Sequence, residues 1–349
     1  MADEFENRPH GRATIVDVAK KAGVSVASAS QALRGAGRIS GRTREKIKAA
    51  AQALNYVPNK HATSLRSGMT REIGLLVQDV SNPFNAELTA GVASVFEETG
   101  HLIYLLDAIE NVDRQQRLIE SIVQSGVCGL LWHPARATPE TTVDFVKEAQ
   151  LPTVTALRSF PGEPFDHVGV NDFQSSQDAA RHLISRGHRH VGFLGGQEGV
   201  LDRSTQFAGY ISALYEAGIE VHRDYCEPCA TDKRSARDAM LNLLNRAPQL
   251  TSVMCYNDVV AFGAMFALAS EGKVVGKDFA VVGCDDIADA SLSIPSLTTV
   301  AVSPYKVGIE LARALLVRLD EPERDHRSLI LGTSVVVRDS TSFILQGGD

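Results

Sequence analysis

The 349-residue chain has no apolar run of about eighteen residues, the length needed to cross a bilayer, and its first dozen residues, MADEFENRPHGR, have no apolar core of a secretory signal. A membrane-spanning or exported protein is therefore not expected, and the chain reads as cytoplasmic. Its five cysteines, Cys128, Cys226, Cys229, Cys255 and Cys284, are odd in number and scattered, which argues against a disulfide framework. Cys226 and Cys229 form a lone CxxC with Pro228 between them, lacking both the second pair of a zinc site and the helix start of a thioredoxin-like site. GxSxG, P-loop and HExxH patterns are missing, and Gly195-Gly196 lacks the rest of a GxGxxG fingerprint. His182, His188 and His190 occur in HLISRGHRH, but a helix-turn-strand spacing does not put three imidazoles on one face. No catalytic residue, metal ligand or cofactor is expected.

What is present is a division of charge. The net charge of −7 hides a head, residues 1–70, with twelve basic against five acidic residues, and a body, residues 71–349, with 23 against 37. A basic head beside an acidic body confines any polyanion contact to the head. The length suggests two or three domains, and the 44% apolar content supports a sizeable core.

In the head, Thr14 to Leu33 places apolar residues at helical spacing twice. Ile15, Val18, Ala19 and Ala22 form one stripe, Thr14 with Asp17 makes a capping box, and Gly23 ends the helix. Ser25 is the expected N-cap of a second helix with Ala29 and Leu33 inward and Val26, Ala27, Ser30 and Gln31 outward. Small and polar outward residues suit a DNA major groove, although the same spacing serves a helix pair in any small bundle. A Gly-rich loop, Gly35 to Ser40, leads to a third helix, Thr43 to Asn55, whose Arg42, Arg44, Lys46 and Lys48 stay in solvent.

Four segments then narrow the reading: DVAKKAGVS, the NYVPN segment at Asn55 to Asn59, the hinge-like Ala62 to Gly68, and IGLLVQDVSNPF at Ile73 to Phe84. Through them the chain resembles the lactose-repressor/galactose-repressor (LacI/GalR) family of transcription factors from Thr14 nearly to its end. DVSNPFNAELTAG, LGGQ and VMCYN resemble its maltose-system repressor branch. From Ile73 onward short apolar strands alternate with amphipathic helices, the pattern of open parallel sheets. Strands are expected at Ile73–Val77, Leu102–Leu106, Gly129–Trp132, Thr153–Ala156, Val191–Leu194, Val253–Tyr256 and Ala280–Gly283, with helices such as Asn85–Thr99 and Ser175–Arg186.

The resemblance implies an N-terminal all-α helix-turn-helix head on an α/β, two-lobed, periplasmic-binding-protein-like core. The expected boundaries are a disordered tail at 1–12, the DNA-binding domain at 13–60, a hinge at 61–70 and the core at 71–349. Crossings near 171, 302 and 331 would give an N-lobe of 71–170 with 302–331, and a C-lobe of 171–301 with 332–349. Gln346-Gly347-Gly348-Asp349 carries no heptads, so the tetramerisation tail of some relatives is not expected.

It also implies roles. Val26, Ala27, Ser30 and Gln31 would read bases. Many relatives carry Arg where this chain has Gln31, so an A·T pair replaces their G·C. Thr14, Ser25, Ser28, Thr43 and Asn59 would hold phosphates, Leu65 would wedge into a central minor-groove step, and Arg66 would line that groove. In the body, Asp79, Phe84, Asn85, His133, Arg158, Arg203, Gln206, Asn257 and Asp285 fall after strands or at cleft positions and would bind an effector. Asn257 could instead cap a helix and Asp285 anchor a loop.

Gln206 stands where relatives carry Arg, Leu157 where they carry Asp, and Asn85 where they carry a second aromatic, which departs from a standard hexose site. Arg158 either receives a carboxylate or phosphate, making the effector a sugar acid or sugar phosphate, or bridges to an Asp. The function implied is a homodimeric repressor on double-stranded, pseudo-palindromic operator DNA, controlled by a sugar or sugar derivative. The alternative is a stand-alone sugar-binding or sugar-processing α/β protein.

Overall fold

The computed structural model describes residues 13–35, 37–57 and 70–342. The chain divides into two units, Met1–Thr70 and Arg71–Asp349.

The first unit holds α1 (Ile15–Ala22), α2 (Val26–Leu33) and α3 (Gly41–Ala53). Thr14 and Asp17 form the reciprocal capping box of α1, and Gly23, at φ 63°, ends it. Ser25 Oγ accepts from Ser28 N at 3.1 Å to start α2. Ser40 does the same for α3 through Thr43 N, so this helix begins at Gly41, two residues before the expected Thr43. Val18, Ala19, Ala22, Ala29, Ala32, Ile47, Ala50 and Ala51 are buried together. Ala32 takes the inward place expected of Leu33, which is half-buried. Small residues at the centre bring the short helices close, and the core they form is correspondingly thin.

The second unit opens with β1 (Glu72–Val77), α4 (Pro83–Thr99), β2 (Leu102–Asp107), α5 (Val112–Gln124), β3 (Gly129–Trp132), α6 (Glu140–Glu148), β4 (Thr153–Ala156) and β5 (Asp166–Val170). It continues with α7 (Asp172–Ser185), β6 (Val191–Leu194), α8 (Leu201–Glu216), β7 (Cys226–Glu227), α9 (Lys233–Arg246), β8 (Ser252–Cys255), α10 (Asp258–Ser270), β9 (Ala280–Asp285), α11 (Ala288–Leu292) and β10 (Thr298–Ala301). It closes with α12 (Pro304–Asp320), β11 (Ser328–Leu331) and β12 (Ser334–Val336).

These strands make two six-stranded sheets, ordered β11-β5-β4-β3-β1-β2 and β12-β10-β9-β8-β6-β7. Every pairing is parallel except the antiparallel β10 with β12. The chain passes between sheets three times: after Val170, after Ala301, and between Leu331 and Ser334. On the first sheet α4 and α12 pack so closely that a Cβ at Gly91 or Gly308 would overlap a carbonyl of the facing helix.

Five strands lay outside the sequence expectation: β5, β7, β10, β11 and β12. Polarity hid β5 and β10. Asp166 and His167 begin β5, and Thr298 and Thr299 begin β10, all buried but hydrogen-bonded. Asp166 is the deepest case. It receives Arg318 Nε at 2.9 Å, Arg324 Nη2 at 2.7 Å and Arg327 N at 2.8 Å, tying β5 to α12 and the segment before β11. Burial raises its pKa, but Arg318, the Arg327 amide and Arg324 outweigh that and hold it below the carboxylate norm.

The histidines of HLISRGHRH go to separate partners: His182 to Thr341, His188 to Thr251 and His190 to Tyr225. Burial pushes the Cys226 and Cys229 thiols up to about 11 and about 12, the reverse of a reactive pair. No helix among the described residues is long and apolar enough to cross a membrane.

Candidate functional site

The outer face of α2 is built by register. With Ala29 and Ala32 inward, Val26, Ala27 and Gln31 are exposed and Ser30 is half-buried, so the four expected readers share one helix. Val26 offers a methyl surface of the kind that meets a thymine methyl, and Gln31 offers a carboxamide. The Gln31 carboxamide lies over Gly37, at φ 82°, where a Cβ would come within 2.7 Å of its oxygen. A side chain at residue 37 would push Gln31 aside, so the loop glycine leaves it room.

Thr14, Ser25, Ser28 and Thr43 cluster at the starts of the three helices, where backbone N–H groups point outward. Thr14 Oγ1 donates to Asp17 at 2.6 Å, while Ser25 and Ser28 hydroxyls meet at 2.9 Å, as do those of Ser40 and Thr43 at 2.8 Å. Capping occupies the acceptor side of Ser25 and leaves hydroxyl hydrogens that can turn toward an anion. Asn59, Leu65 and Arg66 lie outside the described residues.

In the second unit, helices start directly after strands with Asx caps: Asn82, Asn111, Asn171, Asp232 and Asn257 each accept from a backbone amide of the next turn. Asn82, Asn171 and Asn257 thereby bring helix N-termini to the carboxyl ends of the strands, beside a cavity of about 400 Å³ between the two sheets' loops.

Of the residues the sequence singled out, Asp79, Phe84, Asn85, His133, Arg158, Gln206, Asn257 and Asp285 line this cavity together. Arg203 does not. Its Nε donates to Gly195 O at 3.0 Å, and its guanidinium lies 5.3 Å from the Phe193 ring centroid and 5.4 Å from that of Phe207. The physical reason is helical register: Asp202 and Gln206, four apart, face the cavity, which turns Arg203 under the sheet.

Asn257 serves two ends, since its Oδ1 caps α10 through Val260 N at 3.0 Å while the residue also lines the cavity. Asn85 donates from Nδ2 to Asp79 O at 2.8 Å. Leu157, Asp285 and Asp286 hold positive φ of 62°, 125° and 57° at the cavity's edge, strained backbone of the kind found at binding sites.

Arg158 makes the bridge to an Asp that was one of its two expected places. Its Nε donates to Asp202 at 2.6 Å, its Nη1 to Pro134 O at 2.7 Å, and both Nη atoms to the Glu110 carboxylate at 3.2 and 2.9 Å. Burial would lower its pKa, but Asp202 and then Glu110 more than offset that and raise it. Four of its five N–H donors are engaged, most of them by Asp202 and Glu110, so Arg158 bridges to an Asp and its charge is already shared between two carboxylates. That bridge joins the loop after β4 to the start of α8, one sheet's loops to the other's.

Sequence reasoning missed Glu110, Arg136, Asp172, Asp202, Thr231 and Tyr256, which also line the cavity. The i, i+4 pairing of Asp202 with Gln206 could have shown the first turn of α8. Asp172 follows β5, a strand that the polar sequence concealed. Burial, with Asp202 beside it, lifts Asp172 to about 7, against Gln206 and Arg158. Asp285 is pushed well above the carboxylate norm by burial, then by Asp258, Asp172 and Glu87. Burial, Arg158 and Arg136 hold His133 well below 6.5, so it is a neutral imidazole.

A three-helix unit with capped helices, followed along the chain by a unit of two α/β lobes around a polar cavity, is the make-up of a ligand-responsive DNA-binding regulator. Residues 14–59 match bacterial regulatory proteins of the lacI family, and residues 180–341 match a periplasmic binding protein-like domain. The maltose regulon regulatory protein MalI of Escherichia coli (strain K12) is 32% identical over 336 residues, 93% of this chain and 97% of its own length. Among solved structures, the lac repressor dimer bound to operator and the anti-inducer ONPF is 25% identical, with a TM-score of 0.83 over 95% of this chain and 99% of that one. The transcriptional regulator CelR in complex with cellobiose is 29% identical, with a TM-score of 0.71 over 94% of this chain and 100% of that one. The chain belongs to the lacI family of bacterial DNA-binding transcriptional regulators.

Proposed function

We propose that the chain is a repressor, acting in the cytoplasm at the nucleoid. As a homodimer it binds a pseudo-palindromic operator, and it releases that operator when a sugar or sugar-derived effector fills the cavity between the lobes. It acts as a switch and not as an enzyme. The observation that carries the reading is the joint presence of an outward Val26-Ala27-Ser30-Gln31 face and a cavity bridged by Arg158 and Asp202.

Thr14, Ser25, Ser28, Thr43 and Asn59 set the register on phosphates, while Val26, Ala27, Ser30 and Gln31 read bases. Residues 61–70 are the hinge, where Leu65 and Arg66 enter the minor groove. An exposed apolar face supports the homodimer. Phe266 on α10, Leu292 on α11 and Ile294, 97% exposed, surround a surface groove, an area that a second copy would cover. The lac repressor's dimeric, operator-bound state and the CelR–cellobiose complex support operator and sugar binding here. In this scheme the effector acts by changing the lobe angle, which changes the spacing of the paired hinges.

Footprinting on DNA selected from a random pool tests the reading. A two-fold-symmetric protected site is expected, and Leu65→Ala should lose specific binding while effector-induced thermal stabilisation persists. Uniform, unsequenced binding by the unsubstituted chain would sink it.

A further inference from the structure

The cavity's polar atoms are unevenly matched. Asn85 Oδ1, His133 Nδ1 and Gln206 Oε1 are buried with no hydrogen-bond partner among the described residues. The residues are only 5%, 8% and 5% exposed, and all three line the cavity. Two of these atoms can only accept, and an orphaned acceptor at a cavity wall marks a place where a ligand donor belongs.

Charge is uneven too. The cavity's two guanidiniums lie against Glu110 and Asp202, Arg158 at 2.9 and 2.6 Å and Arg136 against Glu110 at 3.5 Å. Asp79 is engaged by Ser81 N and Oγ. That leaves Asp172 and Asp285 lining the same space with no ion pair among the described residues. Asp172 raises the cost of ionising Asp285, and both do so for Cys284 in the same lining.

We propose that the cleft selects an ammonium-bearing polyol, an amino sugar or similar polyhydroxylated amine, over neutral and acidic sugars. This deepens the reading of the cavity as the effector site and rests on it. The ammonium takes the place between Asp172 and Asp285, neither of which has an ion pair among the described residues. Hydroxyl groups donate to Asn85 Oδ1 and Gln206 Oε1. An anionic ligand would enter a lining that carries five carboxyls, Asp79, Glu110, Asp172, Asp202 and Asp285, against the two guanidiniums of Arg136 and Arg158.

Melting of the full chain is to be followed with D-glucosamine and D-galactosamine, against D-glucose, D-galactose, N-acetylglucosamine, glucuronate and glucose 6-phosphate at millimolar concentration. At least one free amine should stabilise, with an affinity about tenfold above its neutral parent, which corresponds to about 1.4 kcal/mol. Asp285→Asn and Asp172→Asn, near-isosteric and each removing one carboxyl, should shrink that preference to about threefold or less while the neutral parent still binds. The proposal is overturned if no amine stabilises at all, if a neutral or acidic sugar binds as tightly as its amine, or if both Asn variants keep the full preference. Amine binding that leaves operator affinity unchanged would keep the ligand class and retire the regulatory reading.

Discussion

The Arg158–Asp202 pair is the most direct test of how the two lobes communicate. Its 2.6 Å contact joins side chains only 14% and 18% exposed, and Arg158 also spans to Glu110 at 2.9 Å. Removing Asp202 as Asp202→Asn leaves the guanidinium with Glu110, whereas Arg158→Met leaves two carboxylates beside Asp172 and Asp285. A charge-assisted hydrogen bond contributes about 1.5–3 kcal/mol, and removing one partner of a fully buried pair costs about 3–5 kcal/mol. The residual exposure here, which keeps water near the pair, reduces that to about 1–3 kcal/mol of coupling.

In the effector mechanism proposed above, that is roughly a 5- to 150-fold change in the balance between lobe arrangements. Urea unfolding of both single variants and the Arg158→Met/Asp202→Asn double variant yields the coupling directly. Arg158→Met should be the worse single change, and the double variant should recover part of the loss. A coupling under about 0.5 kcal/mol, within the additivity of independent sites, would refute a bridge between the lobes.

Two further outcomes follow from named contacts. Gln31→Arg should move one operator position from A·T toward G·C, by about 1–3 kcal/mol of discrimination, read by selection from a randomised site; unchanged selection at every position would refute Gln31 as a reader. Asp166→Asn should cost about 3–5 kcal/mol because Asp166 is 2% exposed and engages both Arg318 and Arg324. Since the folded pKa of Asp166 is depressed, its contribution is complete above the unfolded carboxylate pKa and is lost as pH falls through the folded value. The variant should therefore show a shallower acid-unfolding profile in a pH-melting series, and an equal slope would count against it.

How much of this was legible in the sequence depended on whether a residue's environment is set locally. The head was readable because the Thr14–Asp17 box, Gly23 and the Ser25 cap each act within a turn. Apolar strands such as β3 and β8 announced themselves, whereas β5 and β10 begin with polar residues whose partners lie far away: Asp166 bonds Arg318, and Thr299 bonds Asp258. The cavity was half legible for the same reason. Positions just after apolar strands, such as His133 and Asp285, were within reach. The destination of Arg158 was not, because Glu110 and Asp202 approach it from separate segments, and Arg203 was misplaced by one residue of helical register.

The three passages between sheets also decide which parts of this molecule can be exchanged. The first sheet gathers β11 from far along the chain, so its lobe cannot be cut out as one piece. The second sheet draws five of its six strands from the stretch between Asn171 and Ala301, with only β12 added from outside. One continuous cassette therefore carries Asp172, Asp202, Gln206, Asn257 and Asp285, while Asn85, His133 and Arg158 stay behind on the other wall. Transplanting that cassette between relatives would change what one wall offers a ligand and leave the other wall, with Asn85, His133 and Arg158, as it was.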